Sequence, residues 1–492
     1  SKTNRTKKIM LTPKNNASQM RTQILVKIVE KFLQNRFADA DRIPLEINPK
    51  SESSNRCCTY KERAVVKYRC MAAMGFTPDD ENDELTGLKE YGEKAISRSE
   101  HAENKISVIS EACSACPKTH YFATDACRGC FARPCQVNCP KQAITIVNGR
   151  SHIDETKCIS CGRCHDVCPY NAIVQVPVPC EEACPVGAIS KDENGKEHID
   201  AEKCILCGKC LMSCPFGAIV DTSQIVDVLQ SLANENKKVV AMLAPAVIGQ
   251  FTGTVNQLIG ALKKLGFDDV VEVAVGADIT TRKEAAEFIE KMENGEKLMT
   301  TSCCPAYYKA ATVHIPEIKP FVSHTRTPMY YTAELLKQEQ PDCVAVFVGP
   351  CLAKRAEAEN DPNVDYVLTF EEIGAMLTAS GIKVTECEAQ EFSKISCAQG
   401  RKFPISGGVA GAVASLVEGN AEYKPTAING LSKANIKLLK QYATKGCDFN
   451  MIEVMCCEGG CVAGPGCVAL AKKAAVMVEN YVKTAPNLKD EK

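Results

Sequence analysis

The hexapeptide Cys-Pro-x-x-Ala-Ile occurs four times between residues 139 and 219, beginning at Cys139, Cys168, Cys184 and Cys214. Repetition of this quality marks a copied structural unit. Two copies close longer runs, Cys158, Cys161, Cys164, Cys168 and Cys204, Cys207, Cys210, Cys214. Residues 111–220 hold 16 of the 30 cysteines in this chain of 492 residues. Disulfide scaffolds are short and secreted. This chain is long, shows no leader-like segment and has no apolar run near the ~20 residues of a membrane span. Reduced, metal-bound thiolates in a cytoplasmic protein are therefore expected. The seven histidines show no His/Cys zinc spacing, and His101, twelve residues before Cys113, reads as an ordinary surface histidine. Thiolate-only ligation suits iron and sulfur better than zinc ribbons do. A formal net charge of −1 gives no general pull toward nucleic acid or membrane.

Both runs follow C-x2-C-x2-C-x3-C-P, the spacing of bacterial ferredoxins, in which the fourth cysteine crosses to the other cluster of a pair. From Cys139 to Cys158 is 19 residues and from Cys184 to Cys204 is 20, whereas Cys168 to Cys204 is 36. Two nested units follow. The inner one groups Cys127, Cys130, Cys135 with Cys168, and Cys158, Cys161, Cys164 with Cys139. The outer one groups Cys113, Cys116, Cys180 with Cys214, and Cys204, Cys207, Cys210 with Cys184. Four 4Fe–4S clusters then use all sixteen thiols.

Four segments are expected: a mostly helical region over 1–110, the nested ferredoxin-like domains over 111–222, a catalytic domain over 237–485 and a tail over 486–492. In the first, apolar residues from Ile24 to Leu33 form a helical stripe, and 60–74 reads as a helix closed by Gly75. Its first fifty positions carry 11 Lys and Arg against 4 Asp and Glu, which reads as a solvated arm or as a docking surface for an acidic partner. Beyond residue 237, apolar strands (Val239–Leu243, Val270–Val275, Leu298–Thr301, Val344–Val348, Ile452–Met455) alternate with helices (254–265, 281–293, 328–339, 371–380, 468–484). The pattern predicts an α/β domain with mostly parallel strands and reactive groups at strand ends.

One such end is Thr301-Ser-Cys-Cys-Pro305. Successive side chains diverge, so Cys303 and Cys304 read as one metal ligand and one free thiol beside the metal, an arrangement suited to proton chemistry. Thr301-Ser-Cys-Cys-Pro-Ala-Tyr307, Gly349-Pro-Cys-Leu-Ala-Lys-Arg-Ala-Glu357 and Glu453-Val-Met-Cys-Cys-Glu-Gly-Gly-Cys461, behind a ferredoxin array, together resemble the iron-only (FeFe) hydrogenases. Tyr307, Gly349 and Met329 stand where the best-studied members carry Trp, Met and Gln, and Ala463–Cys467 replaces a glycine run. These departures mark a divergent subgroup.

The resemblance implies two lobes with mostly parallel sheets around an H-cluster, a 4Fe–4S cubane bridged to a diiron subsite with CO, CN and dithiolate ligands. It implies Cys304, Cys351, Cys457 and Cys461 as cubane ligands, Cys461 bridging to the diiron unit. It sets Lys354 against a cyanide, packs Met455, Ala244 and Pro245 around the diiron unit, and has Gly407 and Gly408 permit close backbone approach. It makes Cys303 the proton carrier, with Glu284, Glu287 and Ser323 as relay; the two glutamates, three apart, share a helix face. The other nine cysteines read mostly as buried apolar residues, with Cys456 and Cys467 placed to tune the site. The activity implied is reversible interconversion of H2 with two protons and two electrons, passed to or from ferredoxin or a similar carrier in an anaerobic organism, with maturation proteins inserting the diiron subsite. The alternatives are a hydrogen-sensing regulatory protein and a non-catalytic relative in iron–sulfur assembly, which needs no diiron site.

Overall fold

The computed structural model describes residues 15–51, 54, 56–98, 105–117, 120–417 and 421–490. His101 lies outside them, as do the first fourteen positions of the basic arm. The arm's helix, Asn16–Leu33, opens on a capping box between Asn15 and Ser18. Its Ile24, Leu25, Ile28 and Val29 enter the same apolar core as the catalytic sheet, each contributing about 1.5–3 kcal/mol of burial. The expectation of a solvated arm is thus corrected for this helix. Its charges are also spent inside the chain: Arg21 pairs with Glu371, Thr22 Oγ1 donates to Glu371 at 2.8 Å, and Lys31 meets Glu46 at 3.0 Å. The next long helix, Thr59–Ala73, ends before Gly75 at φ +91°, where glycine escapes the left-handed penalty.

The cysteine-dense region is built from short strands: β1 (Ile106–Val108), β2 (His120–Ala123), β3 (Ile144–Val147), β4 (Arg150–Ile153), β5 (Ile173–Val176), β6 (Ile189–Lys191), β7 (Glu197–Ile199) and β8 (Ile219–Asp221). All their pairings are antiparallel. β2 joins β5 and β3 joins β4 in an inner lobe; β6 joins β7 and β1 joins β8 in an outer one. Because β1 pairs with β8, this region begins near residue 105, before the expected boundary. The repeat has a local cause. In each copy the alanine N–H donates to the cysteine sulfur, at 3.3 Å for Ala143–Cys139, 3.4 Å for Ala172–Cys168, 3.2 Å for Ala188–Cys184 and 3.4 Å for Ala218–Cys214. The following isoleucine starts a strand.

Among the described residues, 237–485 hold two wholly parallel sheets. β9 (Val239–Leu243), β10 (Asp269–Glu272), β12 (Val344–Gly349) and β13 (Tyr366–Thr369) lie in the order β10-β9-β12-β13, and β11 (Met299–Thr300), β14 (Pro425–Asn429) and β15 (Met451–Met455) in the order β11-β15-β14. β9, β12 and β15 are buried throughout, because helices cover both faces of a parallel sheet. Two expectations are corrected. The strand expected over Val270–Val275 stops at Glu272, and the helix expected over 281–293 begins at Ala274 and runs to Glu293. Gly276 sits inside that helix because an added Cβ would lie 2.2 Å from the Pro328 carbonyl oxygen.

Arg355 joins the cysteine-dense region to the catalytic domain. It is 2% exposed, and its guanidinium donates to both oxygens of Glu372 at 2.8 Å and to Asp221, at the end of β8, at 2.8 Å. His314 Nε2 meets the Lys203 carbonyl at 2.8 Å across the same junction. Among the described residues, no helix is long and apolar enough to cross a membrane.

Candidate metal centre

β11 delivers Thr301 and Ser302 to Cys303, and Cys304 then caps the helix Pro305–Val313, with Pro305 in its first turn. Cys351 follows β12 and Cys457 follows β15, so three of the four expected cubane ligands stand at the ends of parallel strands. Cys461 follows on the turn Gly459-Gly460, where both glycines have φ +93°. Burial raises the Cys304, Cys351, Cys457 and Cys461 thiols; Cys351, pushed up to about 12 by burial and then by Cys304, is representative. Each of the last three is raised further by neighbours in the set. Such thiols ionise only if a metal takes up their charge, so this donor set fits a thiolate-ligated cluster. The nearby cation is Lys354, 8% exposed. Its Nζ donates to Thr327 Oγ1 at 3.0 Å and Glu357 Oε2 at 2.7 Å.

Cys303 lies in a pocket with Ala277, Phe403, Val409, Ala412 and Met455. Burial holds its thiol well above the usual value, and Glu284 is the next cause. Glu284 is buried, and neither carboxylate oxygen has a hydrogen-bond partner. Burial, then the charge of Glu287, pushes it up to about 8; the neighbouring Ser302 N–H and Ser323 hydroxyl moderate the rise. Ser323 Oγ donates to Glu287 Oε2 at 2.7 Å. Burial works against ionised Glu287 as well, but bonds from Ser323, the His324 N–H and Thr325 hold it below the ordinary range. The structure thus brings together Cys303, Glu284, Ser323 and Glu287 in that order.

The two glycines have causes of their own. Gly407 has φ +86° with open space where a Cβ would stand, whereas a Cβ on Gly408 would lie 2.1 Å from the Lys402 carbonyl oxygen. Gly408 is therefore already required by the backbone of its own loop. Ala244 lies beside Gly349, which precedes Pro350-Cys351, and Pro245 is buried in the turn after β9.

Two residues without an expected role now have one, and Cys456, expected to tune the site, has a partner. Glu453 is fully buried and accepts from the Gly407 N–H at 2.7 Å and the Ala410 N–H at 2.9 Å, holding that loop over the site. Glu357 orients Lys354. The Cys456 thiol lies near Cys207 of the outer lobe and holds the Cys207 thiol below its usual value against the effect of burial. The first two are the fixed glutamates of the second and third motifs, and that was the available clue. Cys456 has no counterpart clue, since only the folded chain brings it to Cys207.

In the cysteine-dense region several outer thiols lie close enough to feel one another's charge. Cys116 feels Cys113 and Cys214, Cys180 feels Cys214, and Cys210 feels Cys207, Cys204 and Cys184. In the inner lobe, Cys127, Cys130, Cys135 and Cys168 line one small cavity, and Cys164 feels Cys158 and Cys161, with Cys139 packed in the same apolar cluster as Cys158 and Cys164.

These features define an iron–sulfur protein with a thiolate-rich centre between two parallel sheets. Residues 237–465 match the family model "Iron only hydrogenase large subunit, C-terminal domain", and residues 151–174 and 174–225 match a 4Fe-4S binding domain and the LdpA Fe-S cluster-binding domain. The periplasmic [Fe] hydrogenase large subunit of Nitratidesulfovibrio vulgaris is 30% identical over 372 residues, 64% of this chain and 85% of that protein. Iron hydrogenase 1 of Clostridium pasteurianum is 29% identical over 386 residues, 66% of this chain and 67% of that one. The chain belongs to the iron-only hydrogenase family. Cytosolic iron-sulfur assembly component 3 of Mus musculus is also related, 25% identical over 44% of this chain and 57% of that one.

Proposed function

We propose that this chain is an FeFe hydrogenase that interconverts H2 with two protons and two electrons. The observation that carries the reading is the line Cys303–Glu284–Ser323–Glu287, buried as far as Ser323 and half-buried at Glu287, leading away from the four thiols. An assembly protein needs the thiols but has no use for that line. Cys304, Cys351, Cys457 and Cys461 would hold the cubane of the H-cluster. When bound, that group polarises H2 and stores the electron pair.

The residues of the chain do the rest. Cys303 exchanges a proton at its sulfur with the bound substrate. Glu284, whose pKa lies near working pH, passes it on, and Ser323 and Glu287 carry it toward the exposed His324 edge. Lys354, held by Glu357 and Thr327, orients the anionic ligand of the iron. Met455, Phe403 and Val409 exclude water around Cys303. The sixteen cysteines of the inner and outer groupings above would hold four further 4Fe–4S clusters, which would supply single-electron exchange with ferredoxin or a similar carrier, and maturation proteins would supply the diiron subsite.

The test is an infrared spectrum of the matured protein with an H2 evolution assay. Bands from iron-bound CO and cyanide together with turnover are expected, and Cys303→Ala should cut turnover at least about 100-fold while leaving the iron spectrum in place. Near-normal turnover in that variant would remove the proton role of Cys303. A matured protein without those bands would favour the assembly reading.

A further inference from the structure

The four copies of Cys-Pro-x-x-Ala-Ile build four like turns, but only the last has an arginine of another segment seated on it. The residue before the alanine has φ +49° at Gln142 and Asn171, +67° at Gly187 and +57° at Gly217. Gly187 has open space where a Cβ would stand, whereas a Cβ on Gly217 would lie 2.6 Å from Arg69 Nη2. Arg69 belongs to the helix Thr59–Ala73 of the N-terminal region, and its Nη2 donates to the Gly217 carbonyl at 2.7 Å. From just before that helix, Arg56 Nη2 donates to the Phe216 carbonyl at 2.8 Å. The Gly217 N–H closes the turn on the Cys214 carbonyl at 3.1 Å.

Arg69 is 9% exposed, and no carboxylate of the described residues stands at ion-pair distance from it. The buried carboxylate of its own helix, Glu62, is spent on Arg56 at 3.2 Å. Asp221, Glu371 and Glu372, across the same cavity, are held by Arg21 and Arg355. Glu197, on the far side of the outer thiols, is held by Lys191. Glu111, before Cys113, is half-buried and open to screening by water. Burial, then the charge of Arg56, lowers the Arg69 guanidinium to about 10, and Glu62 and Cys214 oppose the fall. Arg69 is therefore a cation at working pH. A buried charge without a counter-ion is costly, and a thiolate-ligated cluster at Cys214 is the anion that the neighbouring donor set would provide.

We propose that Arg69, steadied by Arg56, raises the reduction potential of the outer-lobe cluster that Cys113, Cys116, Cys180 and Cys214 would hold. The proposal rests on the cluster grouping of the proposed function. Uptake of one electron makes a thiolate-ligated cluster more negative. A fixed cation in a surrounding of low dielectric constant then stabilises the reduced state more than the oxidised one. The surrounding is dry on this side: Val65 and Ala72, on the same helix as Arg69, pack in one apolar cluster with Ile109, Ala112 and Cys113. Arg69 touches the turn and not the metal, so it is a positioning residue. The N-terminal region thereby sets an electron energy in the outer lobe. The step it biases is the arrival of one electron, with no bond or proton exchanged.

The test is an anaerobic redox titration of the full-chain holoprotein with dithionite and mediators, followed by electron paramagnetic resonance. Cys214→Ala identifies the signal of interest by abolishing it. Arg69→Met keeps most of the volume and removes the charge. It should move that one signal to lower potential, by at least a tenfold change in its one-electron equilibrium, about 59 mV, while the other signals stay. Arg69→Lys should return most of the shift. Glu62→Gln, which deletes the carboxylate that offsets both arginines, should move the same signal upward, and it decides the matter if Arg69→Met fails to fold. A merely structural role would lower the iron content without giving opposite shifts. Unmoved potentials in both variants, or shifts of the same sign, overturn the proposal. A Cys214→Ala protein that keeps every signal removes the cluster grouping and the proposal with it. H2 evolution is read separately: opposite shifts without turnover remove the enzyme reading and keep the role of Arg69.

Discussion

In the catalytic domain β9, β12 and β15 are buried along their whole length, whereas no strand of the cysteine-dense region exceeds four residues. The apolar clusters of that region are small and partly made of cysteine, such as the one joining Tyr121, Ile144, Ile153 and Ile173 to Cys135 and Cys164. Strands this short cannot stabilise themselves in water, so metal ligation supplies what a core would supply elsewhere. The domain of the parallel sheets needs no metal to exclude water from them; under the proposed function it would need one only to discharge four buried thiols. The same element therefore has two physical roles in one chain, scaffold in one region and guest in the other.

Stripping iron with a chelator is the severest way to break this comparison. Amides of β2–β8 should then exchange within seconds while β9, β12 and β15 stay protected by hydrogen-exchange mass spectrometry, and equal protection in both regions would end the distinction. Next in size is the joint between the regions. Arg355→Ala leaves Glu372 and Asp221 without their buried partner and should cost about 3–5 kcal/mol, read by chemical denaturation of the holoprotein. An additive cost below about 1 kcal/mol would mean that the joint bears no load.

A pH dependence sharpens the catalytic side. The Glu284 carboxyl is raised to about 8 from an unfolded value near 4.3. Its neutral form is the one the fold accepts, so its stability contribution is full below about 4.3 and is lost as pH rises through about 8, at up to about 1.4 kcal/mol per pH unit. Glu284→Gln should flatten that slope in denaturation curves taken across the window. The smallest effect is expected at Tyr307, fully buried, whose hydroxyl meets Thr300 Oγ1 at 2.8 Å. Tyr307→Phe should cost about 1–2 kcal/mol without moving the infrared bands, and a band shift would place Tyr307 in contact with the site.

The strands at Val239–Leu243 and Val344–Val348 were legible because a strand buried on both faces reads as an unbroken apolar run, and Ile452–Met455 was legible although Glu453 interrupts it. Tyr366–Thr369 and Pro425–Asn429 were not, being short strands at the sheet edges. The helix at Ala274 was hidden by Gly276, whose place is explained only by the backbone of Pro328 across the packing. The site showed the same division. Cysteine spacing announced the ligand groups, and the motif glutamates were visible as residues, but that Glu453 holds the Gly407–Ala410 loop and that Cys456 lies near Cys207 are facts of distance between segments far apart in sequence. The N-terminal helix was misjudged from its charge, because Arg21 and Lys31 find their partners only in the folded chain.

Arg355 follows Lys354 directly in the sequence. The lysine held by Thr327 and Glu357 and the arginine that locks the cysteine-dense region thus ride on one short helical turn. Under the proposed function electron transfer falls steeply with distance, so the gap between Cys207 and Cys457 would matter more than most substitutions of charge. A guanidinium gripping three carboxylate oxygens acts as a gauge block for that gap, holding the wire and the electrode at a fixed spacing while the rest of the interface is free to vary.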